Sequence, residues 1–508
     1  MTPISSPSSD YATPLTANAS TYTDLTLDPE NWDEMKALGH RMVEDMLEHL
    51  RTIRDRPAWQ PMPERVRETL NAAPPEKPEG AESAYRDFQD QVLPYATGNV
   101  HPRFWGWVMG TGTPMGMLAE MLAAGMNSNV FGGEQSACYV EEQVVGWFRD
   151  LLGYRSTGGG LLVSSCSQAS LTCLTVARDI KLGADVKQSG LASLERTPIL
   201  YASSETHNSI DKAASVLGLG KAGVRIIPVN TKFEMDVAAL REAIDADIAA
   251  GHQPFCVVAS AGTVNTGALD DFDAIADIAD EYDLWLHVDG AIGTLGAISP
   301  QLKPLFRGME RADSIAFDLH KWMYMPYGVA CALVRDPEEL RASFTPVVAT
   351  YLARGTGGLA AGKYYYGGLG MDLSRAFLAL KVWMSVKEQG MAKYRALMEQ
   401  NVAHTRYLVQ RVNDTPDMEV AAPAPLNVAC IRYRPADASD ETVDALNRDI
   451  VIQLHERGIA VPSGGIVGGR YVIRVANTNQ RSRREDFDIL IRAILEIGAE
   501  LVDARMAS

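Results

Sequence analysis

The chain is poor in cysteine, in basic residues and in long apolar runs, and each shortage removes a class of protein. Its six cysteines (Cys138, Cys166, Cys173, Cys256, Cys331 and Cys430) are scattered over 508 residues without a C-x-x-C pair, and several sit inside apolar runs as small hydrophobes do. A disulfide miniprotein or peptide hormone is excluded, and a reducing, cytoplasmic setting is expected. Lys and Arg number 47 against 64 Asp and Glu, a net charge of −17. With no cationic surplus to meet a phosphate backbone, nucleic acid is not an expected partner. No charge-free apolar run approaches the ~20 residues of a membrane span. Met1–Thr23 has neither Lys nor Arg and no apolar stretch, so it does not read as a signal peptide.

What is present is a globular balance, 46% hydrophobic and 22% charged, in a chain long enough for about three domains at roughly 150 residues each. Residues 1–27 read as a polar tail. Residues 28–113 read as an N-terminal helical dimerisation segment: Asp28-Pro29 offers a cap and first-turn proline, and Trp32, Met35, Leu38, Met42, Met46, Leu50 and Ile53 follow at helical spacing. The prolines between Pro57 and Pro78 predict an extended connector with no folded unit of its own. From 114 to 372 short apolar runs alternate with helical stretches: Leu161–Ser164, Ile199–Ala202, Val224–Val229, Phe255–Ala259, Leu284–Asp289, Ser314–Phe317 and Val329–Val334. Strands this continuously apolar are covered on both faces, which predicts an α/β domain with a mainly parallel seven-stranded sheet and a ligand beyond the strands' carboxyl ends. Residues 373–508, with a long helix over Leu373–Gln389 and strands at Val428–Tyr433 and Tyr471–Val475, predict a small α+β C-terminal domain.

The strand ends carry the chemistry. Ser164-Ser165-Cys166-Ser167-Gln168 follows the first strand and opens a helix, where free N–H groups and hydroxyls suit a phosphate; a plain serine cap is the bland alternative. Asp289 ends the run Leu-Trp-Leu-His-Val-Asp and is followed by Gly290-Ala291, small enough to admit a flat group. Lys321 follows another strand within Phe317-Asp318-Leu319-His320, where burial lowers a lysine's pKa and frees the amine to attack a carbonyl. A structural salt bridge is the competing reading of this pair. His207 lies just beyond the strand ending at Ala202. A phosphate seat, a buried carboxylate, a histidine and a strand-end lysine together follow the order of a pyridoxal phosphate site.

His101-Pro102-Arg103-Phe104, Ser165-Cys166-Ser167-Gln168-Ala169, Thr206-His207-Asn208-Ser209, Gly262-Thr263, His287-Val288-Asp289-Gly290-Ala291 and His320-Lys321-Trp322 resemble the successive motifs of the group II pyridoxal-phosphate-dependent decarboxylases, which include the aromatic-L-amino-acid and glutamate decarboxylases. The resemblance runs from about residue 28 to the end. It implies a fold type I enzyme, a homodimer with shared active sites, and pyridoxal 5'-phosphate bound to Lys321 as a Schiff base. It further implies Asp289 at the pyridinium nitrogen, His207 stacked on the ring, Cys166 and Ser167 at the phosphate, Thr263 and Ala291 beside the ring, and His320 placing substrate or carrying a proton. Tyr351, before the glycine-rich stretch from Gly355, would return a proton to Cα; Tyr364, Tyr365 and Tyr366 are the competing candidates. Animal members commonly have asparagine where this chain has Asp318, near the phosphate.

A wall of Trp105, Trp107, Met109 and Phe131 suits an aromatic substrate. An acidic substrate is the alternative and needs a committed cation, with Arg103 nearest; Arg375 and Arg474 are candidate carboxylate or loop partners. An aldehyde synthase or carbon–carbon lyase is the neighbouring enzyme class, and a non-catalytic cofactor-holding protein is a further one. From a different class, His287, Asp289 and His320 match the composition of a non-haem iron triad, which sits poorly with a βαβ chain and leaves Lys321 without a task.

Overall fold

The computed structural model describes residues 25–155, 157–345 and 355–506; the rest of the predicted tail and Tyr351 lie outside the described residues. The large domain is built on β1 (Gly159–Val163), β2 (Pro198–Ser203), β3 (Val224–Ile227), β4 (Gln253–Ser260), β5 (Trp285–Asp289), β6 (Ser314–Asp318) and β7 (Ala330–Val334), ordered β1-β7-β6-β5-β4-β2-β3. Every residue of β2, β5, β6 and β7 is buried, as the unbroken apolar runs require of strands sandwiched between helices. Only β7 runs against its neighbours, pairing antiparallel with β1 and β6 while β2 to β6 pair in parallel. In consequence β1, β2, β4, β5 and β6 all end on one edge, and Ser260 stands opposite Asp289, itself opposite Ala316.

The N-terminal elements are α1 (Trp32–Arg51), α2 (Glu64–Leu70) and α3 (Ala81–Asp87). Asp28-Pro29 does not cap α1. Asn31 does, its Oδ1 accepting the N–H groups of Asp33 and Glu34 at 3.0 and 3.3 Å, because an amide oxygen next to the first turn satisfies donors that Asp28 is too far away to reach. The proline-rich connector also differs from expectation, since it contains α2, with Pro63 at the cap position where a missing N–H costs nothing. The large domain continues with α4 (Pro114–Met126), α5 (Ser136–Leu151) and α6 (Cys166–Leu182), the last packed on β6 and β7.

The helical stretch Ala379–Asn413 begins later than the apolar pattern predicts, while its first helix stops before Gly390, where the pattern ends it. Residues before Ala379 are held irregular by Arg375, whose N–H and guanidinium bind Asn129, Val130, Glu141 and Leu162. Gly390, at φ +71° and ψ 149°, is not helical, so two helices meet there at a kink. The two bridge the domains, one lying on α4 and α5 and the other on the small antiparallel sheet, ordered β10 (Ser463–Val467), β11 (Arg470–Ala476), β9 (Val428–Tyr433), β8 (Met418–Val420). The short β8 and the glycine-bearing β10 give too little apolar pattern to be read from sequence.

Candidate active site

Five connections leave the common strand edge and place the site. β1 leads to Ser165, whose hydroxyl caps α6 by accepting the Gln168 N–H. Beyond β2 lies His207, beyond β4 Gly262-Thr263, beyond β5 Ala291, and beyond β6 His320-Lys321. The last four meet at a cavity of about 320 Å³ whose lining includes His207, Thr263, Asp289, Ala291, Lys321 and Trp107, while the start of α6 adjoins it through the Cys166 thiol on Asp289. The small domain closes it with Ser463-Gly464-Gly465 and Arg474.

Asp289 is buried and poorly served. Among the described residues its Oδ1 receives only the Cys166 thiol at 3.5 Å and the Ala291 N–H at 3.4 Å. Burial raises its pKa, and a cationic N–H donor in the cavity is the partner such a carboxylate lacks. His207 Nδ1 accepts the Ser209 N–H at 3.2 Å and lies 2.7 Å from the Ser209 hydroxyl, which leaves the proton of the neutral ring on Nε2. Burial lowers the His207 pKa, so an uncharged imidazole faces the cavity, suited to lie against a cationic ring. Thr263 is fixed by its own turn: its Oγ1 accepts the Ala268 N–H at 3.1 Å, and Gly262 takes φ +92°. A flat ring bearing a protonated nitrogen and an aldehyde therefore finds a carboxylate and an amine in one cavity, with the N-terminus of α6 next to it at Cys166.

Lys321 departs from expectation. Burial acts most strongly, to lower its pKa, but Asp318, with Oδ2 at 2.8 Å from Nζ, together with Cys166 and Asp289 outweighs that and the net shift is upward. The amine is held as an ammonium. Asp318 Oδ1 also accepts the Cys166 N–H at 2.7 Å. Lys321 thus makes a salt bridge, but to Asp318 and not to Asp289 as the competing reading had it.

Cys166 lies beneath the cavity, a thiol whose pKa burial pushes well up, while Ser167 is exposed on the first turn of α6. His320 is buried beside the site, its Nε2 3.6 Å from Asp318 and its ring 4.4 Å from that of Tyr327. Of the four residues predicted to form the substrate wall, only Trp107 lines the cavity. Trp105 is 1% exposed, stacked on Phe487 at 4.8 Å and donating its indole N–H to Ser482 at 3.0 Å. The physical reason is local: Trp105 pairs with Val461 and Ala476 of the small domain, while Trp107 turns at φ +50°, its carbonyl held by Arg474. Met109 packs with Phe104, Ala58 and Val461. Phe131 meets the edge of Tyr365 in a separate cleft.

Replacing Trp105 with alanine is expected to cost about 3–5 kcal/mol of stability with KM nearly unchanged. The Trp107→Ala enzyme should melt like wild type but show a raised KM; thermal melts and steady-state kinetics of both variants check the division.

The candidate arginines divide similarly. Arg103 donates to the Ile459 carbonyl at 2.7 Å and approaches Asp486, away from the cavity. Arg375 is spent on the α5–β1 junction. Arg474 lines the cavity, and its Nη2 is buried without a hydrogen-bond partner among the described residues, a donor suited to a bound anion. Tyr364 and Tyr366 stack on each other, Tyr365 sits against Phe131, and none of the three lines the cavity. His287 does not support the iron triad: its ring nitrogens face the Ser314 and Ser170 hydroxyls at 2.9 and 3.3 Å. Asn265 and the Ser463–Gly465 segment were not legible as lining residues, the paired glycines being their only signal.

Comparison with known proteins agrees with this geometry. Residues 63–434 match the pyridoxal-dependent decarboxylase conserved domain. The chain is 31% identical over 479 residues to the aromatic-L-amino-acid decarboxylase of Bacillus atrophaeus, covering 92% of this chain and 96% of that one. It is 29% identical over 476 residues to tryptophan decarboxylase 1 of Oryza sativa subsp. japonica, covering 89% and 91%. Among solved structures, Oryza sativa TDC with PLP and tryptamine superposes with a TM-score of 0.87 at 27% identity, covering 94% of this chain and 100% of that one. The expected α/β fold, the cofactor and the reaction class come together here, for the chain belongs to the pyridoxal-dependent decarboxylases, carboxy-lyases that work with pyridoxal 5'-phosphate.

Proposed function

We propose that the protein decarboxylates an aromatic L-amino acid to the corresponding amine, using Lys321 as the anchoring amine and Asp289 as the partner of the ring nitrogen. The observation that carries this reading is the single cavity joining Lys321, Asp289, His207 and Trp107. The bound cofactor supplies an aldehyde that condenses with amines and a ring that takes up the electron pair left by departing carbon dioxide. The protein's share is placement. Asp289 would hold a proton on the ring nitrogen, His207 would lie against the ring face, and Thr263 and Ala291, which line the same cavity, would bound its edges. Val108, Ile292 and Trp107 give the cavity apolar walls that exclude water and can lie against an aromatic side chain. Tyr351 returns the proton to Cα.

With Lys321 committed, Arg474 is the one remaining Lys or Arg among the described lining residues. An acidic amino acid brings two carboxylates to that single guanidinium, and Arg103 is turned away, so a substrate with one carboxylate fits better. A carbon-dioxide release screen over the twenty amino acids and hydroxylated aromatics tests the choice: tryptophan, tyrosine, phenylalanine or DOPA should lead, and faster release from glutamate or aspartate overturns it. With dioxygen present as oxidant, Tyr351→Phe is expected to shift product from amine toward aldehyde, ammonia and hydrogen peroxide, carbon dioxide leaving in both cases, so the check is chromatography of amine and aldehyde with a peroxide assay. An unchanged amine yield removes Tyr351 from the mechanism.

Two further assignments belong to this proposal. On α1 and α4 the side chains of Trp32, Met35, Leu47, Met121, Leu122 and Met126 are exposed, apolar surface that a homodimer partner is fit to cover. All six cysteines are free and buried, which suits the cytoplasm. Among the described residues no helix is long and apolar enough to cross a membrane.

A further inference from the structure

Asp318 holds both groups that cofactor capture needs. It ends β6 with its side chain almost wholly buried, one oxygen on the Cys166 N–H at the start of the 17-residue α6 and the other on Lys321 Nζ. A helix N-terminus favours an anion, and at the buried Cys166 N–H the chain provides one itself. An arriving phosphate finds this N–H occupied and a carboxylate beside it, and like charges at such distances disfavour one another strongly. The same carboxylate keeps Lys321 an ammonium, whereas attack on an aldehyde needs the free amine.

We propose that Asp318 is a displaceable stand-in for the cofactor's phosphate, so that uptake of pyridoxal 5'-phosphate is an exchange in which the carboxylate gives up the α6 N-terminus and Lys321. This rests on the reading of Lys321 as the anchoring amine. During attachment a C=N bond forms between Lys321 Nζ and the aldehyde carbon, the carbonyl oxygen leaves as water, and the ammonium's extra proton passes to solvent. Displacement lowers affinity, because part of each favourable contact with the cofactor replaces one already made. The protein accordingly loads and unloads as free cofactor rises and falls, where an asparagine at this position, uncharged and able to donate to phosphate, favours permanent loading.

The test compares cofactor-free wild type with Asp318→Asn, titrated with pyridoxal 5'-phosphate and separately with pyridoxal, following visible absorbance and tryptophan fluorescence. The Kd for pyridoxal 5'-phosphate should fall at least tenfold in the variant, and the gain for pyridoxal should be several-fold smaller. An unchanged or weakened Kd overturns the inference, as does an equal gain for both ligands. Should Asp318→Asn fail to fold, Asp318→Ser removes the same charge and is held to the same outcomes. Borohydride fixation of the loaded wild type followed by peptide mapping separates the two readings. Label on Lys321 with no gain in affinity sinks only the role of Asp318, whereas label elsewhere overturns both.

Discussion

Lys321→Ala is expected to lose covalent cofactor attachment altogether and to lower turnover by about four orders of magnitude or more, the scale seen when a nucleophile acting in concert with its neighbours is removed. Borohydride should then fix no cofactor to the protein, and mass spectrometry of the reduced sample gives the answer directly. Full turnover by this variant refutes the assignment. The structure adds a second consequence. Removing Lys321 leaves Asp318 buried without its close cation, holding the Cys166 N–H and with His320 Nε2 3.6 Å away, and stripping one partner from a buried ion pair costs about 3–5 kcal/mol. The cofactor-free variant should therefore melt below wild type. Adding Asp318→Asn should restore most of that loss without restoring activity, which distinguishes a structural salt bridge from a catalytic amine in one double-mutant cycle.

How much of this was legible beforehand depends on whether a signal was local. The seven large-domain strands were readable because each is an apolar run bounded by turn residues, and Asp289 and Lys321 stood out as charges at the ends of such runs. The direction of the lysine's pKa was not readable. It hinges on Asp318 folding back three residues onto Nζ, and sequence offers desolvation without the geometry of the counter-ion. Trp105 and Trp107 show the same limit. Two residues apart in an extended segment, they share a face by simple alternation, yet a positive φ at Trp107 and pairing to the small domain send them to different places. Arg474 and the Ser463–Gly465 segment reach the cavity from a domain whose packing no local pattern encodes.

Asp289→Asn is the other change with a large expected effect, and it acts in opposite directions on activity and on the stability of the empty protein. With the charge gone the ring nitrogen has no reason to stay protonated, the pull on the electrons released at Cα weakens, and turnover should fall about 10³-fold or more, the upper range for removal of one electrostatic contact in a closed site. Lys321 is untouched, so borohydride should still fix cofactor to the variant; loss of attachment would mean that Asp289 serves binding rather than chemistry. For stability, burial raises the Asp289 pKa in the folded chain above its unfolded value. A carboxyl so shifted contributes stability that is complete below the unfolded value, near 4, and is lost as pH rises through the folded one. Cofactor-free wild type should accordingly lose stability on going from acid toward neutral pH at this site, while Asp289→Asn, which has nothing there to ionise, should not. Loading the wild type should reduce that loss, since a ring N–H then meets the carboxylate. Thermal melts of the three forms across that pH range decide it, and a neutral-pH melting temperature for the empty variant below that of empty wild type would show that Asp289 is already well partnered without the cofactor.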